Sequence, residues 1–104
     1  MNENEILSAL YQTVVNRRDN PKEGSYTCYL LDKGIDKILK KVGEECSETI
    51  IAAKNGDNSE TVYEIADLIY HLTVMMVQQN ISLEDVLAEL DKRSEKTGCL
   101  LYTS

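Results

Sequence analysis

Five acidic residues fall into two groups whose spacing could hold a metal ion. Glu44, Glu45 and Glu48 form the first group, and Glu64 and Asp67 form the second. Helical residues three positions apart lie on one face, with Cβ atoms about 5–6 Å apart, so each group can direct a pair of carboxylates the same way. Carboxylate oxygens are hard ligands that suit Mg²⁺ or Mn²⁺. Because Mg²⁺ usually completes its coordination with water and phosphate oxygens, the pattern favours phosphoanhydride chemistry.

The same acids also fit a solvated helix face that binds no metal. Lys37, Lys40, Lys41 and Lys54 could offset their charge in ordinary ion pairs along a helix. Acidic pairs at this spacing also arise by chance in a chain with 18 acidic residues. Spacing alone therefore leaves both interpretations open.

Several basic and aromatic residues are candidates for contacts with a phosphorylated substrate. Arginine binds phosphate in a bidentate manner, and lysine, tyrosine and histidine can each donate a hydrogen bond to it. Each candidate is also a side chain that an ordinary helix shows on its surface or packs against a neighbour. The candidates are Arg17, Arg18, Tyr26, Lys40, Lys41, Lys54 and His71.

Sparse helix breakers and apolar residues at helical spacing predict an all-α fold that positions these groups. Pro21 is the single proline, and the chain of 104 residues has five glycines. We expect one domain over residues 1–104, a small bundle of four main helices plus one short helix, with an irregular tail over 97–104. The predicted helices cover residues 3–18, 28–33 (the short one), 35–55, 57–79 and 82 to about 96.

A short turn at Gly56 and Asp57 predicts that the two central helices pack as an antiparallel hairpin carrying the metal site. The acids on both helices lie at similar distances from this turn, so four carboxylates could meet across one groove. The apolar stripes of the hairpin are expected to form the core, with Cys46 as a packing residue and Gly43 as a point of close packing. The stripes comprise Ile35, Ile38, Leu39, Val42, Cys46, Ile50 and Ala53, followed by Val62, Ile65, Ala66, Ile69, Leu72, Thr73, Met76 and Val77.

Charge and hydropathy exclude several classes of partner. The net charge of −7 argues against nucleic-acid binding and against docking on anionic lipid, since both need a basic surface. No apolar run approaches the roughly 20 residues of a membrane span, and the acidic N-terminus does not resemble an export signal. Three irregularly spaced cysteines fit free thiols in the cytoplasm. A chain this small buries a limited core, so we expect a homodimer.

Residues 25–57 (SYTCYLLDKGIDKILKKVGEECSETIIAAKNGD) and 64–76 (EIADLIYHLTVMM) closely resemble the phosphoribosyl-ATP pyrophosphohydrolase family. This family belongs to the MazG-type all-α nucleotide pyrophosphohydrolases, and the likeness runs from about Leu7 to Arg93. The resemblance implies a usually dimeric enzyme that uses Mg²⁺ to hydrolyse phosphoribosyl-ATP to phosphoribosyl-AMP and pyrophosphate, the second step of histidine biosynthesis. By the family's EExxE and ExxD motifs, the implied metal ligands are Glu45, Glu48, Glu64 and Asp67.

The expected reaction is the attack of water on the α–β phosphoanhydride of a small-molecule nucleotide. Either the metal lowers the pKa of this water, or a free carboxylate takes its proton, with Glu44 as the candidate base. Two other functions remain open. One is a housecleaning nucleoside triphosphate pyrophosphatase that uses the same carboxylates, and the other is a non-enzymatic helical interaction module whose acidic stripe keeps it soluble.

Overall fold

Five helices account for most of residues 1–95, the part of the chain that this computed structural model describes. No strand occurs among these residues, which confirms the predicted all-α fold of four main helices and one short helix. The predicted irregular tail over 97–104 lies outside the described residues. No described helix is long and apolar enough to cross a bilayer. The helices are α1 (Glu3–Asp19), α2 (Tyr26–Lys33), α3 (Ile35–Lys54), α4 (Asn58–Gln78) and α5 (Leu83–Glu95).

Side-chain caps set where three of the helices begin. Ser25, Asp57 and Ser82 each accept a hydrogen bond from the backbone N–H three residues ahead, at 3.0–3.1 Å. Such a cap satisfies one of the first N–H groups of a helix, which have no partner within the helix itself. The cap at Ser25 starts α2 two residues earlier than the sequence predicted, so Tyr26 lies in its first turn.

α3 and α4 are joined by three residues and pack against each other as a helix hairpin. Gly56 lies in this turn with φ +72°, in the left-handed region that glycine adopts without a steric penalty. The core forms where α1 and α2 pack onto the hairpin. It consists of Val14, Leu30, Ile38, Val74 and Val77, each at most 1% exposed.

The hairpin leaves a broad apolar surface uncovered within the protomer. Ile50 and Val62 are each 68% exposed, and the predicted packing residue Cys46 is also exposed. A Cβ atom added at Gly43 would meet nothing within 4 Å, so Gly43 is not a point of close packing within the chain. The prediction that these stripes form the internal core is therefore wrong for one side of the hairpin. We call this side the open apolar face, formed by Leu39, Gly43, Cys46, Ile50, Val62, Ile65, Ala66 and Ile69.

Replacing the cap of α4 tests how the hairpin turn is stabilised. We expect Asp57→Ala to lower the free energy of unfolding by about 1 kcal/mol, because the N–H of Glu60 loses its acceptor. Asp57→Asn keeps an acceptor oxygen and should unfold like the wild type. Urea denaturation followed by circular dichroism measures both variants. Equal destabilisation of the two would show that the negative charge, and not the hydrogen bond, is what matters.

Candidate metal centre

Three carboxylates converge where α3 packs on α4. Glu45 and Glu48 of α3 and Glu64 of α4 each place one oxygen within 4.8 Å of the others. Glu45 is 4% exposed and Glu64 is 8% exposed, while Glu48 lies at the solvent side. The structure thus brings together three of the four predicted ligands. Asp67 is half-buried on α4, and its charge is close enough to raise the pKa of Glu45.

Burial and mutual repulsion disfavour the ionised form of these acids. Burial is the main cause that raises the pKa of Glu64 from 4.5 to about 7, and nearby Glu60, Glu45 and Glu48 contribute. Burial also raises the pKa of Glu45 above its usual range. Both groups hold a proton more readily than an exposed carboxylate does, so the cluster needs a proton or a cation to offset its charge.

Two oxygens of the cluster have no hydrogen-bond partner among residues 1–95. Oε2 of Glu45 and Oε1 of Glu64 are buried without a hydrogen bond. A buried acceptor without a partner costs about 1–3 kcal/mol, and more when it is charged. A divalent cation at this point would supply the missing interaction, and an all-oxygen donor set suits Mg²⁺ or Mn²⁺. The residues present therefore fit the metal that the sequence pattern predicted.

Lys41 lies beside the cluster, together with the candidate base. Its Nζ is 3.2 Å from Oε1 of Glu44 and 3.8 Å from Oε1 of Glu45. The hydrogen bond that Lys41 donates to Glu44 raises the pKa of Lys41, so this lysine carries a full positive charge near neutral pH. One turn of α3 thus presents a cation next to the acids, at a position where a phosphate oxygen could meet it.

Tyr26 and His71 meet next to Asp67. The Tyr26 hydroxyl lies 3.0 Å from Nε2 of His71, and Nδ1 of His71 lies 2.8 Å from the carbonyl oxygen of Asp67. His71 is 3% exposed, whereas Tyr26 is 46% exposed. A second polar contact joins the same two helices, between the hydroxyl groups of Thr27 and Tyr70.

The other basic candidates are not placed against the carboxylates. Arg17 donates to Oδ1 of Asn16 at 3.1 Å, and Arg18 pairs with Asp19 at 2.9 Å. Both arginines line a cavity of about 350 Å³ between the end of α1 and α2. Lys40 and Lys54 are exposed on α3, and neither forms an ion pair within residues 1–95. Their assignment to the substrate stays a prediction.

Sequence reasoning missed Glu60. This residue lies one turn before Glu64 and contributes to raising its pKa. It lines a cavity of about 210 Å³ together with Glu48 and Glu64. The spacing of four between Glu60 and Glu64 places them on one helix face, and this is the signal that could have identified it.

Fold and site together define a class: an all-α protein in which neighbouring helices hold carboxylates able to bind a divalent metal. A model of the phosphoribosyl-ATP pyrophosphohydrolase family matches residues 7–94, so the chain belongs to this family. The family is one of hydrolases, and the resemblance drawn from the sequence is confirmed.

Named relatives agree with this assignment over most of the chain. A phosphoribosyl-ATP pyrophosphatase of Clostridium botulinum (strain Hall) is 55% identical over 96 residues, covering 92% of this chain and 87% of the relative. One of Streptococcus thermophilus is 56% identical over 91 residues, 88% of each. A histidine biosynthesis bifunctional protein HisIE of Caldanaerobacter subterraneus is 58% identical over 92 residues. The match covers 88% of this chain but 45% of that longer relative.

The raised pKa of Glu64 predicts how stability depends on pH without divalent ions. Because the folded-state pKa is about 7 and the ordinary value is 4.5, the folded state binds more protons across this interval. The stabilisation from this group is complete below pH 4.5 and is lost as pH rises through about 7. We expect the melting temperature in EDTA to fall over this range, and Mg²⁺ or Mn²⁺ at high pH to restore it.

The matched variant Glu64→Gln has no titrating group at this position and should show a flatter pH profile. In EDTA above pH 7 it should melt at a higher temperature than the wild type, because no charge is buried there. Thermal denaturation of both proteins over the same pH series makes the comparison. Parallel profiles for the two proteins would contradict this account of the cluster.

Proposed function

We propose that this protein hydrolyses the α–β phosphoanhydride of phosphoribosyl-ATP to give phosphoribosyl-AMP and pyrophosphate in a magnesium-dependent reaction. This is the second step of histidine biosynthesis that the sequence resemblance implies. The observation that carries the proposal is the convergence of Glu45, Glu48 and Glu64, with two buried oxygens that lack hydrogen-bond partners in the described part of the chain. The match to relatives named phosphoribosyl-ATP pyrophosphatase supports the choice of substrate.

Glu45, Glu48, Glu64 and Asp67 would hold the metal. Bound there, Mg²⁺ would polarise the phosphoryl oxygens, offset the charge that develops on pyrophosphate and lower the pKa of a water molecule. Two of these ligands are buried and Glu48 is exposed. The cluster therefore has a protein side and an open side, and the open side leaves room for substrate phosphates and water.

Glu44 and Lys41 are the residues we assign to the reacting centre itself. Glu44 directly precedes the metal ligands along α3 without belonging to the cluster, and we assign it to accept the proton of the attacking water. Lys41 would bind a phosphate oxygen. Its ammonium group lies within 4 Å of Glu44 and Glu45, and a phosphate oxygen would replace part of its contact with these two acids.

Further substrate contacts are assigned to the remaining candidates. Tyr26 lies near the cluster, since burial raises its pKa and the charges of Lys41, Glu45 and Asp67 also influence it. Arg17 and Arg18, which line a cavity beside α2, would bind the far end of a large substrate. Lys40 and Lys54 would contribute through longer-range attraction of the phosphates.

We also propose that the protein works as a homodimer that buries the open apolar face against a second copy. Within residues 1–95, seven hydrophobic side chains are buried and sixteen large ones are exposed. The exposed apolar residues of α3 and α4 recur at helical spacing, and a large exposed apolar patch is typical of an interaction surface. The stripe includes Gly43, where a partner helix could approach closely. We propose a second copy of this chain as the partner, because a two-fold dimer brings the same apolar surface of each protomer together.

The free thiols of Cys28 and Cys46 support a reducing compartment, and we place the enzyme in the cytoplasm.

The first test of function is pyrophosphate release from phosphoribosyl-ATP with Mg²⁺ and with EDTA. We expect turnover only with the metal, and Glu48→Gln should lower kcat/KM at least about 100-fold, since even partners of a metal ligand contribute about 10- to 100-fold. Glu84→Gln removes an exposed carboxylate of α5 and serves as the matched control. Circular dichroism checks that both variants keep their helices.

The substrate panel separates the other functions. Faster turnover of ordinary deoxynucleoside triphosphates than of phosphoribosyl-ATP would identify a housecleaning pyrophosphatase. Absence of any turnover, together with no saturable Mg²⁺ or Mn²⁺ binding, would identify a helical interaction module. Wild-type activity in Glu48→Gln would show that the metal assignment is wrong.

A charge on the open apolar face tests the dimer. We expect Ile65→Asp to weaken self-association at least about 100-fold, because an unpaired carboxylate buried in an apolar interface costs several kcal/mol. Ile6→Asp, at a 49% exposed position on α1, should leave the dimer intact. Sedimentation velocity measures both. A monomeric wild type, or equal effects of the two variants, would contradict the proposal.

A further inference from the structure

His71 and Tyr26 form a pair whose roles differ, although the sequence presented both as candidate substrate contacts. His71 is 3% exposed in the middle of α4, and both of its ring nitrogens already have partners. Tyr26 is 46% exposed, and it lies at the first position of a helix of eight residues. The buried member of the pair cannot reach a ligand without breaking a hydrogen bond, whereas the exposed member can.

The direction of the hydrogen bonds follows from the chemistry of the partners. The carbonyl oxygen of Asp67 can only accept, so Nδ1 of His71 carries a proton and donates it at 2.8 Å. In the neutral ring Nε2 is then the acceptor, and the Tyr26 hydroxyl, 3.0 Å away, donates to it. Because the Tyr26 hydroxyl donates its hydrogen to His71, its oxygen can only accept a hydrogen bond from a substrate.

Ring contacts hold Tyr26 in the same orientation. Its ring stacks at 6.2 Å on Tyr29 and on Tyr70, and it meets the edge of His71 at 5.8 Å. The stacked rings fix the plane of Tyr26, while the hydrogen bond fixes the position of its oxygen. An exposed side chain held this way loses little conformational entropy on binding, which favours a positioned contact over a mobile one.

We propose that His71 is a positioning residue that orients Tyr26, and that Tyr26 thereby accepts a hydrogen bond from a hydroxyl of the substrate's sugar rather than donating one to its phosphates. This inference rests on the proposed function, because it assigns the residues to the same site. The geometry that supports this role is a buried ring with partners at both nitrogens, one of them the hydroxyl of a tyrosine that is itself 46% exposed.

Two substitutions of His71 separate its two hydrogen bonds. His71→Asn places an amide nitrogen at the Nδ1 position and keeps the bond to Asp67, but it does not reach Tyr26. His71→Gln places an amide oxygen near the Nε2 position and can accept from Tyr26. We expect Tyr26→Phe and His71→Asn each to raise KM for phosphoribosyl-ATP roughly 3- to 10-fold, the value of one neutral hydrogen bond, with kcat changed less than about 2-fold.

The conservative variant and the double variant test whether His71 acts through Tyr26. His71→Gln should recover most of the wild-type KM. Combining Tyr26→Phe with His71→Asn should raise KM no further than either change alone, since both remove the same contact. Tyr63→Phe removes the hydroxyl of a 63% exposed tyrosine of α4 that forms no hydrogen bond within residues 1–95, and it is the matched control with unchanged KM.

Product inhibition tests which part of the substrate Tyr26 contacts. Pyrophosphate has no sugar hydroxyl, so its inhibition constant should stay within about 2-fold of wild type in Tyr26→Phe and His71→Asn. This change is smaller than the one expected for the loss of one hydrogen bond. A parallel rise in the inhibition constant of pyrophosphate would show that Tyr26 contacts phosphate and would overturn the sugar assignment.

Other outcomes overturn the inference as a whole. Additive effects of the two substitutions, or lower melting temperatures with unchanged KM, would show that the pair only attaches α2 to α4. No turnover by the wild type would overturn the proposed function and this inference together. Normal wild-type turnover with no recovery in His71→Gln would overturn the inference alone.

Discussion

The burial of two carboxylates at one point of the α3–α4 hairpin is the constraint on which the rest of the structure depends. Glu45 and Glu64 are nearly inaccessible, and each has an oxygen to which no described residue donates a hydrogen bond. Packing the hairpin tightly therefore requires a positive charge or a proton at this point. Binding of a proton or a cation to the cluster and stability of the fold are therefore linked, because a ligand that binds only the folded cluster stabilises the folded state.

Part of the hairpin buries acids and exposes apolar side chains, although Ile38, Val74 and Val77 of the same two helices lie in the core. Acids lie in the contact between α3 and α4, while isoleucine and valine side chains of the same helices face outward. Helix geometry explains how both can be true, since residues three or four apart share a face and adjacent residues do not. The acids and the open apolar face use different positions along the same two helices.

α2 is only eight residues long, but its side chains contact α4 next to the site. Its cap at Ser25 sets where the helix starts, and this places Tyr26 and Thr27 against Tyr70 and His71 of α4. Two hydroxyl contacts and a set of stacked rings therefore join a short helix to a long one. The arrangement places a group of aromatic side chains next to the backbone of Asp67.

Local interactions explain what the sequence by itself determined. The helices and their ends depend on apolar periodicity and on caps such as Asp57, and the pairing of Glu45 with Glu48 depends on their spacing, so all of these were predictable. Only the tertiary structure decided what covers each helix face, because periodicity shows that a stripe is apolar but not which element packs on it. Cys46 and Gly43 were misassigned for this reason. The tether of His71 to Tyr26 spans 45 positions, and only the packing of α2 on α4 creates it.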